Sequence, residues 1–196
     1  YDVSFEVNKG EAVAFLGPQH SGKTTMLRTL VGLEKPNSGE IYIKNIPLKK
    51  IDFSCDVNVG YVPTTPVFFP KKTVYENLKY LLKSRKIIRV DIEDKINTLL
   101  IEYNLEKLRD EKVRNLSLFD KYILSIARLS FRPVEVVLID NIFDKLSEEE
   151  LERVKELIKK EFLQKKITTV IATTSQGISK DLTKRVIKFK LGSIEA

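Results

Sequence analysis

Gly17-Pro18-Gln19-His20-Ser21-Gly22-Lys23-Thr24 fits the pattern G-x-x-x-x-G-K-[ST], and its flanks constrain the chain as much as the pattern does. Before it stands the apolar run Ala12 to Leu16; after it Met26, Leu27, Leu30 and Val31 fall at helical spacing, with Gly32 where a helix stops. A strand, a glycine-bearing loop and a helix in that order predict a phosphate-binding loop inside an α/β fold. Gly17 and Gly22 let the backbone turn so that successive N–H groups converge on a phosphate at a helix N-terminus. In that frame Lys23 reaches β- and γ-phosphate oxygens and the Thr24 hydroxyl reaches Mg²⁺. The candidate binding residues are Gly17, Pro18, Gln19, His20, Ser21, Gly22, Lys23, Thr24 and Thr25.

Such a site needs an acid at the end of a second apolar strand, and Val136-Val137-Leu138-Ile139-Asp140 supplies one. Thr24 and Asp140 are therefore the candidate metal ligands, the carboxylate acting through a water.

The rest of the chain sorts around this pair. Val3, Phe5 and Val7 alternate with polar residues and Lys9-Gly10 follows, which predicts a strand turning tightly into Ala12 to Leu16. Pro36 to Gly39 is a loop and Ile41 to Ile43 a further strand. From Thr73 to about Arg132 helical faces replace strands: Val74, Leu78, Leu81 and Leu82; then Ile92, Ile96, Leu99, Leu100 and Tyr103; then Tyr122, Ile123, Ile126 and Ala127. Beyond Pro133 come a strand from Val134 to Ile139, a helix opened by a Ser147/Glu150 capping box, a strand from Ile167 to Thr173, and a last strand from Val186 to Leu191. The layout is one domain, an α/β core (1–72 and 133–196) interrupted by a helical insertion (73–132).

Composition narrows the classes. One cysteine, Cys55, closes no internal disulfide, and no run of 18 apolar residues spans a bilayer. The net charge of +7 is spread among acids instead of gathered on one stretch, so a nucleic-acid partner is not expected. No charged-then-apolar leader is visible, which points to the cytosol. Tyr1 stands first and Met26 is the only methionine, so the chain is not expected to begin at a translation start.

With these residues on view, the chain resembles the ATP-binding-cassette (ABC) ATPases over essentially its whole length. Tyr1 to Val7 with Lys9-Gly10-Glu11 is similar to the family's opening, and Gly32-Leu33, Pro36 and Ser38-Gly39-Glu40-Ile41 to its G-L-x-x-P-x-S-G-E-I stretch. Gly60-Tyr61-Val62-Pro63, Phe69-Pro70, Thr73-Val74 and Glu76-Asn77-Leu78 resemble the Q-loop region, and Ile126-Ala127-Arg128 with Pro133 the run before the acidic strand. The resemblance implies a P-loop NTPase with a RecA-like core, a small antiparallel β subdomain and an inserted all-helical subdomain. It also implies ATP and Mg²⁺ as ligands, and a place at the cytoplasmic face of a membrane beside a membrane-spanning transporter subunit or a second nucleotide-binding subunit. In that family the insertion is the part that docks on the membrane subunit's coupling helix, which the resemblance implies for 73–132.

The chain departs from the family at its catalytic positions. Thr64 replaces the Q-loop glutamine and is too short to span to a metal and water. After Leu116-Ser117 the signature continues as Leu118-Phe119-Asp120 in place of G-G-Q, which crowds a close approach and repels phosphate. A helix cap by Ser117 with Asp120 is the alternative reading, with Leu118 or Phe119 packed into protein or a partner. Asn141 stands where a glutamate polarises the attacking water; a carboxamide holds a water but takes no proton near neutral pH. Ser175 aligns with the switch histidine, while the chain's one histidine, His20, occupies a loop position usually held by glycine, which implies a shifted loop or accepted strain. The aromatic that stacks on adenine in the family lies upstream of Tyr1.

No catalytic residue is assigned on this basis. The expectation is an ATP-binding subunit with weak or absent hydrolysis. The alternatives are an active transport ATPase helped by a partner or by Asp144, and a non-catalytic scaffold whose contacts include Leu118-Phe119 and Phe68-Phe69.

Overall fold

The structure is a computed structural model that describes residues 3–53, 56–84 and 92–195. Contacts divide the chain into two compact units, Tyr1–Thr64 with Val134–Ala196, and Thr65–Pro133.

The first unit is built on a sheet whose central strand is β1 (Ala12–Leu16). Val13, Ala14 and Phe15 are fully buried, as a parallel strand covered on both faces requires. Two further elements follow: α1 (Lys23–Leu30), and a hairpin of β2 (Tyr42–Ile43) and β3 (Ile46–Pro47). Lys44 and Asn45 take φ of 53° and 63° between these strands, the left-handed pair a two-residue hairpin turn demands. The remaining strands are β4 (Val59–Val62), β5 (Val136–Asp140), β6 (Thr168–Thr173), β7 (Arg185–Lys190) and β8 (Ser193–Glu195). The main sheet runs β4-β5-β6-β1-β7-β8, parallel except for the β7–β8 hairpin.

Register sets the site. Leu16 pairs with Thr173 and Asp140 with Ala172, so the ends of β1 and β5 share one edge of the sheet, separated by β6 alone. That carboxyl edge is where open parallel sheets hold ligands. Beneath it Phe15 stacks on Phe5 edge-on at 5.2 Å and against Phe189 at 4.7 Å, within a core that includes Leu27, Leu138, Val170 and Ile187.

Two strand expectations are corrected. Val3 to Val7 is not a strand, although its alternation survives as burial, with Phe5 and Val7 packed on the core and Ser4 and Glu6 exposed. The reason is that β6 and β7 occupy both edges of β1, leaving no side free for a hairpin partner. The last strand ends at Lys190: Leu191 is 75% exposed with φ of 47°, the first residue of a turn into β8, which periodicity did not reveal. The proposed opening with Tyr1 and Asp2 lies partly outside the described residues, as does Cys55. The capping box is present as expected: Ser147 accepts from the Glu150 N–H and Glu150 from the Ser147 N–H, starting α5 (Glu148–Ile158). Helix α6 (Gln176–Leu182) follows β6.

The second unit contains α2 (Val74–Ser84), α3 (Ile92–Glu102) and α4 (Leu118–Ala127). Leu78, Leu82, Ile96, Leu100, Ile123 and Ile126 form its interior. Arg109 ties it together, bonding Asn97 and Glu93 and lying 4.2 Å over the Tyr75 ring. Ser117 caps α4 by accepting from the Asp120 N–H at 3.0 Å, which agrees with the capping alternative; Phe119 is buried and Leu118 half-buried. Phe69, by contrast, is 46% exposed beside Tyr80, and the two rings meet edge-on at 4.8 Å. With Val67, Phe68, Leu81 and Arg128 they line a groove of about 240 Å³.

Candidate functional site

The loop between β1 and α1 is fixed from several sides. The Gly17 N–H donates to the Thr173 carbonyl at 3.3 Å, the Ser21 N–H to Pro18 at 3.3 Å, and the Gly192 N–H to Ser21 at 3.0 Å. Gly17 passes so close to β7 that a Cβ there would lie 2.2 Å from the Phe189 carbonyl oxygen. Gly22 caps the helix with φ of 99°, a conformation that favours glycine. His20 takes φ of 62°, so of the two outcomes foreseen for it the strained left-handed backbone is the one adopted. Pro18, Gln19 and His20 are exposed, as are Thr24 and Thr25, and the Thr25 carbonyl accepts from Thr29 within the helix.

Lys23 folds back into this loop. Its ammonium donates to the carbonyls of Gly17 at 2.8 Å and Pro18 at 2.7 Å and to Ser21 Oγ at 3.0 Å, and the residue is only 5% exposed. Burial pushes its pKa down, while the charges of Asp140 and Asp144 pull in the opposite direction. A desolvated ammonium ringed by carbonyls is a strong partner for an arriving anion.

Asp140, 1% exposed, has each oxygen engaged. Thr24 Oγ1 donates to Oδ1 at 2.9 Å, the Tyr61 hydroxyl donates to Oδ2 at 3.1 Å, and Thr64 Oγ1 donates to the main-chain carbonyl at 2.7 Å. The two residues singled out as metal ligands thus stand in direct contact. A hydroxyl and a carboxylate suit a hard cation, and among the described residues no group of three or more His, Cys, Asp or Glu offers a cage. Mg²⁺ held by one or two protein oxygens plus phosphate has that donor set.

Tyr61 was missed as a site residue. Burial raises its pKa most, with the Asp140 charge adding to it, so the phenol remains a donor. Its Cα pairs with Leu138, two residues before Asp140, a register that the sequence does not reveal.

Around Asn141 a separate network forms. Asn141 has φ of 47°, donates from Nδ2 to Asp144 Oδ2 at 2.8 Å, and leaves Oδ1 buried without a hydrogen-bond partner among the described residues. Asp144 Oδ1 accepts from Thr174 Oγ1 at 3.1 Å. Ser175 spends its hydroxyl capping α6, accepting from the Ile178 N–H at 3.4 Å.

The sequence pattern of the ABC transporter family matches residues 1–144. The chain belongs to the ABC transporter family. It is 30% identical, over 98% of its length and 81% of the relative's, to a probable sulfate/thiosulfate import ATP-binding protein of Chlorella vulgaris. It is 29% identical, over 99% of its length, to the trehalose/maltose import ATP-binding protein of Thermococcus litoralis, of which it spans only 54%. Among solved structures, a dimeric ATP-binding cassette in a post-hydrolysis state bound to ADP and Pi superposes with a TM-score of 0.87 at 26% identity, covering all of this chain and 88% of that one. The fold is that of an ABC ATPase cassette. No helix among the described residues is long and apolar enough to cross a membrane.

Within this ABC family member, Thr64, Asn141 and Ser175 are each engaged in hydrogen bonds, those of Asn141 and Ser175 local. Thr64 holds the end of β5, and Ser175 serves a helix cap.

Proposed function

We propose that this chain is the ATP-binding subunit of an ABC transporter, that it binds Mg-ATP through Gly17 to Thr25 with Asp140, and that it hydrolyses ATP weakly or not at all. The observation that carries the reading is the Lys23 ammonium poised in a loop whose neighbour Thr24 already touches Asp140. The Gly22 end of α1 supplies N–H groups for phosphate, and Thr24 with Asp140 supplies oxygens for Mg²⁺. When bound, Mg²⁺ neutralises charge on the phosphates. ADP and Pi in a related cassette support the choice of ligand.

Slow turnover follows from what the residues can do. The Asn141 carboxamide cannot accept a proton from water near neutral pH, and its Oδ1 is buried. Ser175 and Thr64 are short and otherwise engaged, and the helix-capping Ser117 is followed by Leu118-Phe119-Asp120. Lost positioning and charge stabilisation together remove several kcal/mol from phosphoryl transfer.

The partners in this reading are a membrane-spanning subunit and a second nucleotide-binding subunit, with the chain peripheral at the cytoplasmic face. The groove of Val67, Phe68, Tyr80 and Arg128, with Val67 68% exposed and Tyr80 56% exposed, offers the apolar docking surface that the helical insertion contributes in this family. The relatives named serve the import of different cargoes, sulfate/thiosulfate in one and trehalose/maltose in the other.

Calorimetric titration with Mg-ATP tests binding, with saturable heat expected. For hydrolysis, Asn141→Glu is expected to raise phosphate release less than about tenfold, because one general base contributes 10²–10⁴-fold only when its partners are in place. The new carboxylate would also stand beside Asp144, which now accepts from Asn141 at 2.8 Å, and like charges there favour protonation. A rise of about a hundredfold or more would show that the other departures matter little.

A further inference from the structure

Asp140 is buried, and each of its carboxylate oxygens has one side-chain donor within reach: Thr24 from the loop on Oδ1, Tyr61 from β4 on Oδ2. Tyr61 lies on β4 and Thr24 follows β1, strands on opposite sides of β5, and the two donors do different things. Thr24 is itself a candidate metal ligand, so the Thr24–Asp140 contact has to adjust when a cation arrives. Tyr61 has no such role, and its contact can persist. An aspartate carboxyl turns about a broad, roughly two-fold torsion, so a donor fixed on one oxygen settles which way the other one faces.

Tyr61 is well built to be that donor. Its ring is partly buried against the core of the first unit, and its Cα is in register with Leu138 on the strand that carries Asp140. A phenol swings on only two side-chain torsions, so once the ring is packed its hydroxyl has little freedom. Three residues on, Thr64 Oγ1 grips the main-chain carbonyl of the same aspartate at 2.7 Å. Tyr61 on strand β4 therefore holds the side chain of Asp140, and Thr64, two residues past the strand's end, holds its backbone.

We propose that Tyr61 is a positioning residue for the divalent-cation site: its hydroxyl holds Asp140 Oδ2 so that Oδ1 is presented beside Thr24. The proposal rests on the Mg-ATP reading above. It adds a residue outside the phosphate loop and the acidic strand that tunes the metal dependence of nucleotide binding without touching nucleotide. Partners that orient a metal-binding carboxylate typically change metal affinity 10- to 100-fold when removed.

Tyr61→Phe keeps the packed ring and removes only the donor. ATP affinity is measured by calorimetry in excess Mg²⁺ and again in EDTA, and Mn²⁺ binding to the ATP complex by electron paramagnetic resonance. The expected result is a loss of about tenfold in the Mg²⁺-dependent part of ATP affinity and in Mn²⁺ affinity, with affinity in EDTA unchanged within about twofold. In an Asp140→Asn background the same substitution should add less than about twofold. Equal losses with and without Mg²⁺ would mean that Tyr61 supports the loop merely as structure, and no loss in either would mean that Thr24 suffices; both overturn the proposal. If the unsubstituted chain binds no ATP in either buffer, the Mg-ATP reading falls and the proposal with it. Loss confined to the Mg²⁺ arm in Tyr61→Phe leaves that reading standing.

Discussion

Lys23→Ala should weaken ATP binding by at least about 100-fold while leaving the fold in place. The ammonium is 5% exposed and makes three hydrogen bonds, to the Gly17 and Pro18 carbonyls and Ser21 Oγ, so the cost of taking it out of water is already met in the unliganded chain. An incoming phosphate then meets a charge with little water to displace, where attraction is stronger than in bulk solvent, and takes the place of one of the three protein acceptors. Removing one partner of such a desolvated charge pair costs about 2–5 kcal/mol, and 2.7 kcal/mol is roughly a hundredfold in affinity. Parallel circular dichroism separates this from unfolding. Wild-type affinity in the alanine variant would show that the phosphates bind elsewhere.

Gly17→Ala should cost about 3 kcal/mol of stability, toward the upper end of overpacking effects. For a chain of this size that corresponds to a fall of roughly 6–12 °C in Tm. The added Cβ would meet the Phe189 carbonyl oxygen at 2.2 Å and Ser21 Oγ at 2.8 Å, and the first of these is backbone of a paired strand. Relief requires β1 and β7 to separate or the loop to lift, and either displaces Lys23, whose ammonium bonds the Gly17 carbonyl. Gly177→Ala is the matched control: its Cβ would find only Ser175 Oγ at 3.6 Å, at a helical position where alanine is favoured by up to about 1 kcal/mol. Equal melting temperatures for the two variants, measured by differential scanning calorimetry, would contradict the close packing of the loop on β7.

The sequence made the local parts of this architecture legible. The strand-loop-helix around Lys23 could be read because glycine chemistry, apolar runs and helical spacing are all short-range, and the Ser147/Glu150 box because both partners lie within one turn. The contact between Thr24 and Asp140, 116 residues apart, was legible only because the motif pairs a hydroxyl with an acid at a strand end. What was hidden depends on strand order. Val3 to Val7 has the alternation of a strand, yet β6 and β7 flank β1 on both sides. Tyr61 looks like an ordinary half-buried aromatic until β4 is placed beside β5. Leu191 continues an alternating pattern, and only the turn into β8 turns it outward.

Lys23, Thr24 and Asp140 should hold Mg-ATP, and with Asn141 beside them it should stay intact. A single-turnover experiment with the chain in excess over labelled ATP and Mg²⁺ tests both halves at once, by following the retained nucleotide and its identity over time. The expected result is nucleotide that is retained and remains ATP over many minutes. Conversion to ADP within seconds, or no retention at protein concentrations well above micromolar, would contradict it.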